Sequence, residues 1–369
     1  MIYIEMDKEA VQCHLVYVSK KGANKGQPLK FNLYKKFWYY YKLSFDASKT
    51  VEDREFSKSV SKVYEYLFKN IERIAIAKLD EIELIQEEYD TLITHVFTNE
   101  AKHKVEGILN ELQKFFENEY ERFGNGYLIN FDGEIIRWNA YAYVKKLKVN
   151  VCPYCNAQFT LTIEPGESPR ESGKVRAELD HFISKSSYPI FGMSIYNLVP
   201  SCKVCNQSLK HEKETSLMTH FNPFDVNIQG QFKVSRQFKQ RKSNISYVDS
   251  ILGEENEIEI TILPSKLGYP YIRDLEQREF NRKVNNNVKM FRLKAVYNQH
   301  KEFIQENILK ARIYNEIYLN QLEFDFPLII RNENDLKTLL IKPSIEFTNS
   351  ILSKALSDIL NEEIFINKK

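Results

Sequence analysis

Residues 178–206 read ELDHFISKSSYPIFGMSIYNLVPSCKVCN, and upstream of them stands Cys152-Pro-Tyr-Cys155. Four of the five cysteines thus fall into two C-x-x-C pairs, Cys152/Cys155 and Cys202/Cys205, and Cys13 stands alone. Each pair presents two thiols from one tight knuckle. Two knuckles can close a tetrahedral shell of four sulfurs around Zn²⁺ with bonds of about 2.3 Å. In a reducing cytosol such pairs point to a metal rather than to disulfides; a redox pair or four unrelated thiols are the alternatives. A closed shell leaves no open coordination position, so this zinc is expected to be structural, a staple for the segment between the pairs. Cys13 reads as a small buried residue.

The segment between the knuckles carries an acid directly before a histidine, Asp180-His181, then Asn197, and Asn206 just after Cys205, with Lys210 and His211 a helical turn further on. On an extended strand, neighbours point to opposite sides unless a bulge or strand end turns them together. An Asp180 carboxylate and an Asn206 amide oxygen suit a hard cation, Mg²⁺ or Mn²⁺, which keeps waters and accepts a phosphate oxygen. A neutral His181 can take a proton from an attacking water. Together these residue types suit phosphodiester hydrolysis, in which a cation stabilises charge on the phosphate and the leaving oxygen.

The order C-x-x-C, D-H, N-L-x-P-x-C-x-x-C-N resembles the HNH endonucleases, over residues 150–215. The resemblance implies a ββα-metal fold. It implies Asp180 and Asn206 as ligands of a catalytic Mg²⁺ or Mn²⁺ and His181 as general base. Asn197 becomes the brace of the loop between two strands, and Lys210 a phosphate contact. The third letter of the motif falls on Asn206, an H-N-N variant, with His211 as its rival. It further implies DNA as substrate and products with 5′-phosphate and 3′-hydroxyl ends. DHFISKSSYPIFGMSIYNLVPSCKVCN, with the later stretch Phe291–His300, is similar to HNH proteins of bacterial anti-phage defence loci, such as the nuclease component of Septu-type systems, which works with an ATPase. A homing or restriction nuclease is the alternative within the family. Outside it stand a zinc-stabilised nucleic-acid or partner-binding module without chemistry and a subunit active only in a larger assembly.

Outward from this segment, the expected fold class is α+β: a zinc-stapled ββα domain at 150–225, between a mainly helical region at 1–149 and a mixed, then helical, region at 226–369. The chain has 369 residues, 43% hydrophobic and 28% charged, enough to build cores. Its formal net charge of +2 excludes a polybasic protein but not local basic patches. Lys20, Lys21, Lys25 and Lys30, and again Lys239, Arg241 and Lys242, read as solvated loops or as phosphate contacts. No apolar run approaches the roughly 18 residues of a membrane span, and the first residues lack a signal-peptide pattern, so the expected location is cytoplasmic.

Residues 1–50 read as short strands and a loop, with Ser19–Lys30 an exposed turn. Phe37–Tyr41 (FWYYY) reads as core or a buried interface, with base stacking as the alternative. From Ser57 to Phe123 the pattern is helical: Val105, Ile108, Leu109, Leu112, Phe115, Phe116, Tyr120 and Phe123 share a face, Asn99 is placed to cap, and Gly124 and Gly126 to end the helix. Residues 135–150 read as a further helix. Gln231–Ser235 and Glu257–Leu263 alternate as strands, residues 273–325 return to helical spacing, and a last helix is expected near Ser350–Asn361. Glu178 reads as a solvated strand residue, or as support for the acid and base beside it. His14, His95, His103, His220 and His300 read as structural.

Overall fold

Asp7 accepts the amide hydrogen of Ala10 at 2.8 Å and so opens helix α1 (Lys8–Ser19), which buries Ala10, Cys13, His14, Tyr17 and Val18 on one face. In this computed structural model the described residues are 1–22, 26–164, 173–228, 232–238, 258–264, 275–313, 321–322, 324–326 and 341–366. The strands expected over residues 1–50 are instead two helices, α1 and α2 (Leu29–Leu43). The aromatic and β-branched composition there favours strand by propensity, but burial at steps of three and four decides for helix. The basic cluster Lys239, Arg241 and Lys242 lies outside the described residues.

Thr50 caps α3 (Val51–Ile76) through Asp53, and α3 packs against α1 and α2 along Val60, Val63, Tyr64, Leu67, Ile71 and Ile74. After α4 (Leu79–Val96), α5 (Lys102–Asn125) buries Ile108, Leu112, Phe116 and Phe123, the face its spacing predicts. Its N-cap is Ala101, without a side-chain bond, so Asn99 does not serve. Gly126 ends it at φ +59°, where an added Cβ would stand 1.9 Å from the Trp138 carbonyl oxygen; only glycine fits. The helix expected at 135–150 is shorter. Residues before it form β2 (Glu134–Trp138), paired antiparallel with β1 (Tyr127–Phe131), and Asn139 caps α6 (Ala140–Leu147) through Ala142.

Between the cysteine pairs, β3 (Glu178–His181) pairs antiparallel with β4 (Leu198–Ser201), with Asp180 opposite Val199 and His181 opposite Leu198. A short π-type helix, Val204–Lys210, follows the second knuckle. β5 (Phe232–Phe238) and β6 (Ile258–Pro264) form a third antiparallel pair, as their alternation predicts. Helices α7 (Leu275–Met290), α8 (Leu293–Asn298), α9 (Lys301–Ile313) and α10 (Ser353–Ile366) complete the described chain. The architecture is therefore helices with small antiparallel sheets, and one continuous hydrophobic core includes residues from Met1 to Leu360. No helix among the described residues is long and apolar enough to cross a membrane.

Candidate functional site

The two knuckles meet. The ligand atoms of Cys152, Cys155, Cys202 and Cys205 lie within 4.8 Å of one another, all four residues are buried, and none forms a disulfide. A tetrahedral shell with Zn–S bonds of about 2.3 Å sets its sulfurs about 3.8 Å apart, and Cys155 Sγ lies 4.0 Å from Cys202 Sγ. Backbone N–H groups of Ala157 and Cys205 point at Cys155 Sγ (3.5 Å) and Cys202 Sγ (3.4 Å). Burial pushes the Cys152 thiol well up, while hydrogen bonding from Cys152 holds Cys155 and Cys202 low. Mutually bonded buried sulfurs of this kind are the donor set of a structural Zn²⁺, and the residues fit that ion.

Backbone groups from both flanks, with the Phe291 ring, clasp the first knuckle. Asn156, at φ +51°, donates to the carbonyls of Phe347 (3.1 Å) and Ser350 (3.2 Å) and accepts from the Lys354 amide (3.0 Å). The Ile2 amide donates to the Pro153 carbonyl at 2.8 Å. Tyr154 stacks on Phe291, ring centroids 4.2 Å apart.

Strand alternation separates Asp180 from His181. Asp180 faces inward and is buried: Lys210 Nζ lies 2.8 Å from each carboxylate oxygen, and Tyr154 donates its hydroxyl to Oδ2 at 2.6 Å. Lys210 is only 3% exposed and also donates to the carbonyls of His181 (2.5 Å) and Phe182 (3.2 Å). The expected phosphate contact is thus an internal ion pair, because the helix after the second knuckle turns Lys210 onto the inner face of β3. Asn206 does not join Asp180. Its Nδ2 donates to Glu178 Oε2 at 2.9 Å, and Gln207 Nε2 donates to Glu178 Oε1 at 2.6 Å. In this arrangement Asp180 and Asn206 share no open position, and Asp180 already holds an ammonium, so the pair does not fit a Mg²⁺ or Mn²⁺ ion. His211 ends the helix at φ +50° with an exposed side chain and takes no part in the Asp180 cluster.

His181 faces α5. Its ring meets Tyr120 edge-on at 4.6 Å, and its Nε2 lies 3.0 Å from the Gly192 carbonyl oxygen. A carbonyl only accepts, so Nε2 carries the hydrogen and Nδ1 keeps a lone pair. Burial pushes the imidazole down to about 4, which keeps it neutral at pH 7. Asn197 is fully buried: Oδ1 accepts from the Ile183 amide at 2.6 Å, and Nδ2 donates to the carbonyls of Ile183 (3.0 Å) and Phe191 (3.1 Å). His14 Nε2 reaches the next carbonyl in the row, Met193, at 2.8 Å. Three consecutive carbonyls, of Phe191, Gly192 and Met193, are therefore held by Asn197, His181 and His14 in turn.

Beside β3 lies an open cleft of about 430 Å³ lined by Tyr120, Tyr141, Lys174, Arg176, Glu178, Asn206 and Gln207, among others. Of the residues weighed in and around the motif, Glu178 and Asn206 line it. Tyr154, Arg176 and Gln207 escape sequence reasoning, and Tyr120 is read there only as part of a helix face. Tyr154 carries a signal nonetheless, since it sits between two cysteines of a C-x-x-C pair, where a side chain is held close to the four-sulfur cluster. Comparison of the chain with family models, with curated proteins and with solved structures gives no match.

Proposed function

We propose that this protein is an HNH-type endonuclease that hydrolyses DNA phosphodiester bonds, with a structural Zn²⁺ on Cys152, Cys155, Cys202 and Cys205. The observation that carries the reading is the bond from His181 Nε2 to the Gly192 carbonyl: it leaves a neutral imidazole whose basic nitrogen is Nδ1, with no hydrogen-bond partner among the described residues. Such a group is suited to take a proton from water. In the reaction, water oxygen bonds to phosphorus as the bond to the 3′ oxygen breaks. The water proton passes to His181 Nδ1, and the departing oxygen takes a proton from solvent. The products carry 5′-phosphate and 3′-hydroxyl ends. Tyr120 belongs both to the cleft wall and to the imidazole contact, which supports a base close to that cleft, with His181 itself outside the lining. Arg176 and Lys174 bring positive charge there for a phosphate. Asn197 positions the histidine by fixing the loop that supplies its carbonyl partner. The defence role and an ATPase partner rest on the resemblance of the motif alone.

One observation favours a second reading, a zinc-stabilised binding module without chemistry: the acid next to His181 is sealed by Lys210 and Tyr154. Cleavage of plasmid, linear and single-stranded DNA over a Mg²⁺ and Mn²⁺ series separates the two, with His181→Ala prepared in parallel. The nuclease reading expects cutting by the native chain and a loss of about 10²-fold or more in the variant. Absence of cutting, or equal cutting by both proteins, favours the binding module.

A further inference from the structure

Helix α2 carries charge of one sign only. Its charged residues are Lys30, Lys35, Lys36 and Lys42, and it has no acid. Lys30 pairs with Glu72 and Lys36 with Glu111, while Lys35 and Lys42 have no ion pair among the described residues. Exposed rings stand between these lysines. Phe31, Tyr34, Trp38 and Tyr41 follow one another at steps of three and four, and Phe45 continues the row beyond the helix end. From Phe31 to Tyr41 the row runs about 15 Å, at 1.5 Å per residue. Its N-terminal end borders a cleft of about 540 Å³ walled by the rings of Phe31, Tyr34 and Phe68, with Lys21, Lys30 and Gln27 also in the lining and no carboxylate among the described lining residues. We propose that this face binds single-stranded nucleic acid. One base enters the cleft, the following bases stack along the ring row, and the phosphates meet Lys21, Lys30, Lys35 and Lys42. The proposal does not rest on the nuclease reading.

Charge, ring type and support select this occupant. A second copy of the same face would set lysines against lysines, which like charge opposes, whereas a polyanion is attracted by all of them. A seam built for a partner helix carries branched aliphatic side chains at its repeating positions. On α2 every large apolar side chain that is exposed is aromatic, and an aromatic ring offers a π-face on which any base stacks. The cations stay beside the rings: Lys35 Nζ lies 4.8 Å from the Phe31 centroid and Lys30 Nζ 5.7 Å from that of Phe68. A phosphate next to a stacked base therefore meets an ammonium. The bridge from Lys30 to Glu72 is open to solvent, and pairs of that kind contribute little, so a phosphate can replace the carboxylate. The rings are also held in place before any ligand arrives. Tyr34 meets Trp38, and Trp38 meets Tyr41, edge to face at 6.0 and 5.3 Å. Behind them, Asn32 donates to Glu119 at 2.8 Å and Lys36 to Glu111 at 2.7 Å, which fastens α2 to α5, the helix that brings Tyr120 to the His181 ring. Such preorganisation lowers the entropic cost of binding.

Trp38 makes the test direct, because the other tryptophan, Trp138, is fully buried. A thymidine oligonucleotide, its uridine counterpart, a DNA duplex, heparin and anionic phospholipid vesicles are titrated in turn into the zinc-loaded full chain without added divalent cation. The oligonucleotides are checked for length afterwards, and melting temperature and sedimentation are measured on every variant. A single strand of either sugar is expected to quench the Trp38 emission and to bind more tightly than the duplex. Trp38→Ala is expected to bind a labelled oligonucleotide on the order of tenfold more weakly, while Trp38→Phe keeps a ring and most of the affinity. Lys35→Gln should flatten the salt dependence by about one phosphate contact. No quenching by single strands overturns the proposal, as does unchanged binding in a folded Trp38→Ala. Heparin binding equal to that of the oligonucleotides, with no response in the ring variants, would show a merely electrostatic patch. A response to vesicles alone would show a lipid surface, and a native dimer that Trp38→Ala dissociates, without nucleic-acid binding, would show a second copy; each of these overturns it too. Binding as stated with no cutting in Mg²⁺ or Mn²⁺ leaves this surface standing and removes the nuclease reading. Cutting by a Trp38→Ala protein that binds and cuts like the native chain does the reverse.

Discussion

His14 shows how a residue without motif spacing can matter to the site. It is wholly buried on α1, donates from Nε2 to the Met193 carbonyl and accepts at Nδ1 from the Trp138 indole at 3.3 Å. A second ring proton would face the indole N–H, and burial lowers the imidazole from its ordinary 6.5 to about 4. Between those values the unfolded chain binds a proton that the folded chain refuses. Stability is thus full above pH 6.5 and falls as pH drops towards 4. His220, also buried, is pushed down to about 4 in the same way and adds to the slope. We predict that unfolding free energy, followed by urea titration at a series of pH values, declines across this window. His14→Gln should remove one proton from the slope, about 1.4 kcal/mol per pH unit; an unchanged slope in the variant would contradict the burial argument. The motif made the four cysteines, Asp180, His181, Asn197 and Asn206 legible because each stands at a fixed offset in one stretch. Where their side chains go was not legible. Lys210 is four residues beyond Asn206 in sequence, yet its partner Asp180 is 30 positions away, and no local rule ties them.

At the scale of the element, helical spacing was read correctly where apolar residues recur at three and four, as along α5. It failed where aromatics run without interruption. Successive helix residues turn by about 100°, so five in a row go all the way round and cannot share one buried face. On α2, Leu29 and Leu33 are the residues fully buried, while Trp38 is 37%, Tyr39 56% and Tyr41 39% exposed. The FWYYY run is therefore split: Phe37 and Tyr40 pack against the core, and Trp38, Tyr39 and Tyr41 face solvent. Phe31, Tyr34 and Phe45 extend it as a solvent-facing stripe in which Tyr34–Trp38, Trp38–Tyr41 and Tyr41–Phe45 pack edge to face at 5.1–6.0 Å. The chain has two tryptophans, and the other, Trp138, is fully buried. Acrylamide should quench the native emission substantially and that of Trp38→Phe hardly at all, with the variant's spectrum shifted to the blue. Strong residual quenching in Trp38→Phe would mean that Trp138 is not enclosed as described.

For the molecule as a whole, the three regions marked by composition are joined at the first knuckle. Ile2 pairs with Pro153, Phe291 stacks on Tyr154, and Asn156 takes the chain at 347–354. The sequence divides at about 150 and 225, but the hydrophobic core continues across both positions. Long-range contacts of this kind leave no periodic trace, which is why the docking was not legible in the sequence. Metal removal should therefore act globally. We expect about one zinc per chain, and chelation at neutral pH to lower the melting temperature markedly and to cost helical circular dichroism beyond the knuckles. A stripped protein that melts as before would show that the four sulfurs are not the staple. The row of carbonyls at 191–193 has a mechanical side as well. His14 grips one peptide and His181 the peptide before it, so α1 and the candidate base share a rigid handle. Any force that slides α1 along its axis must pull on the link that sets the orientation of the imidazole.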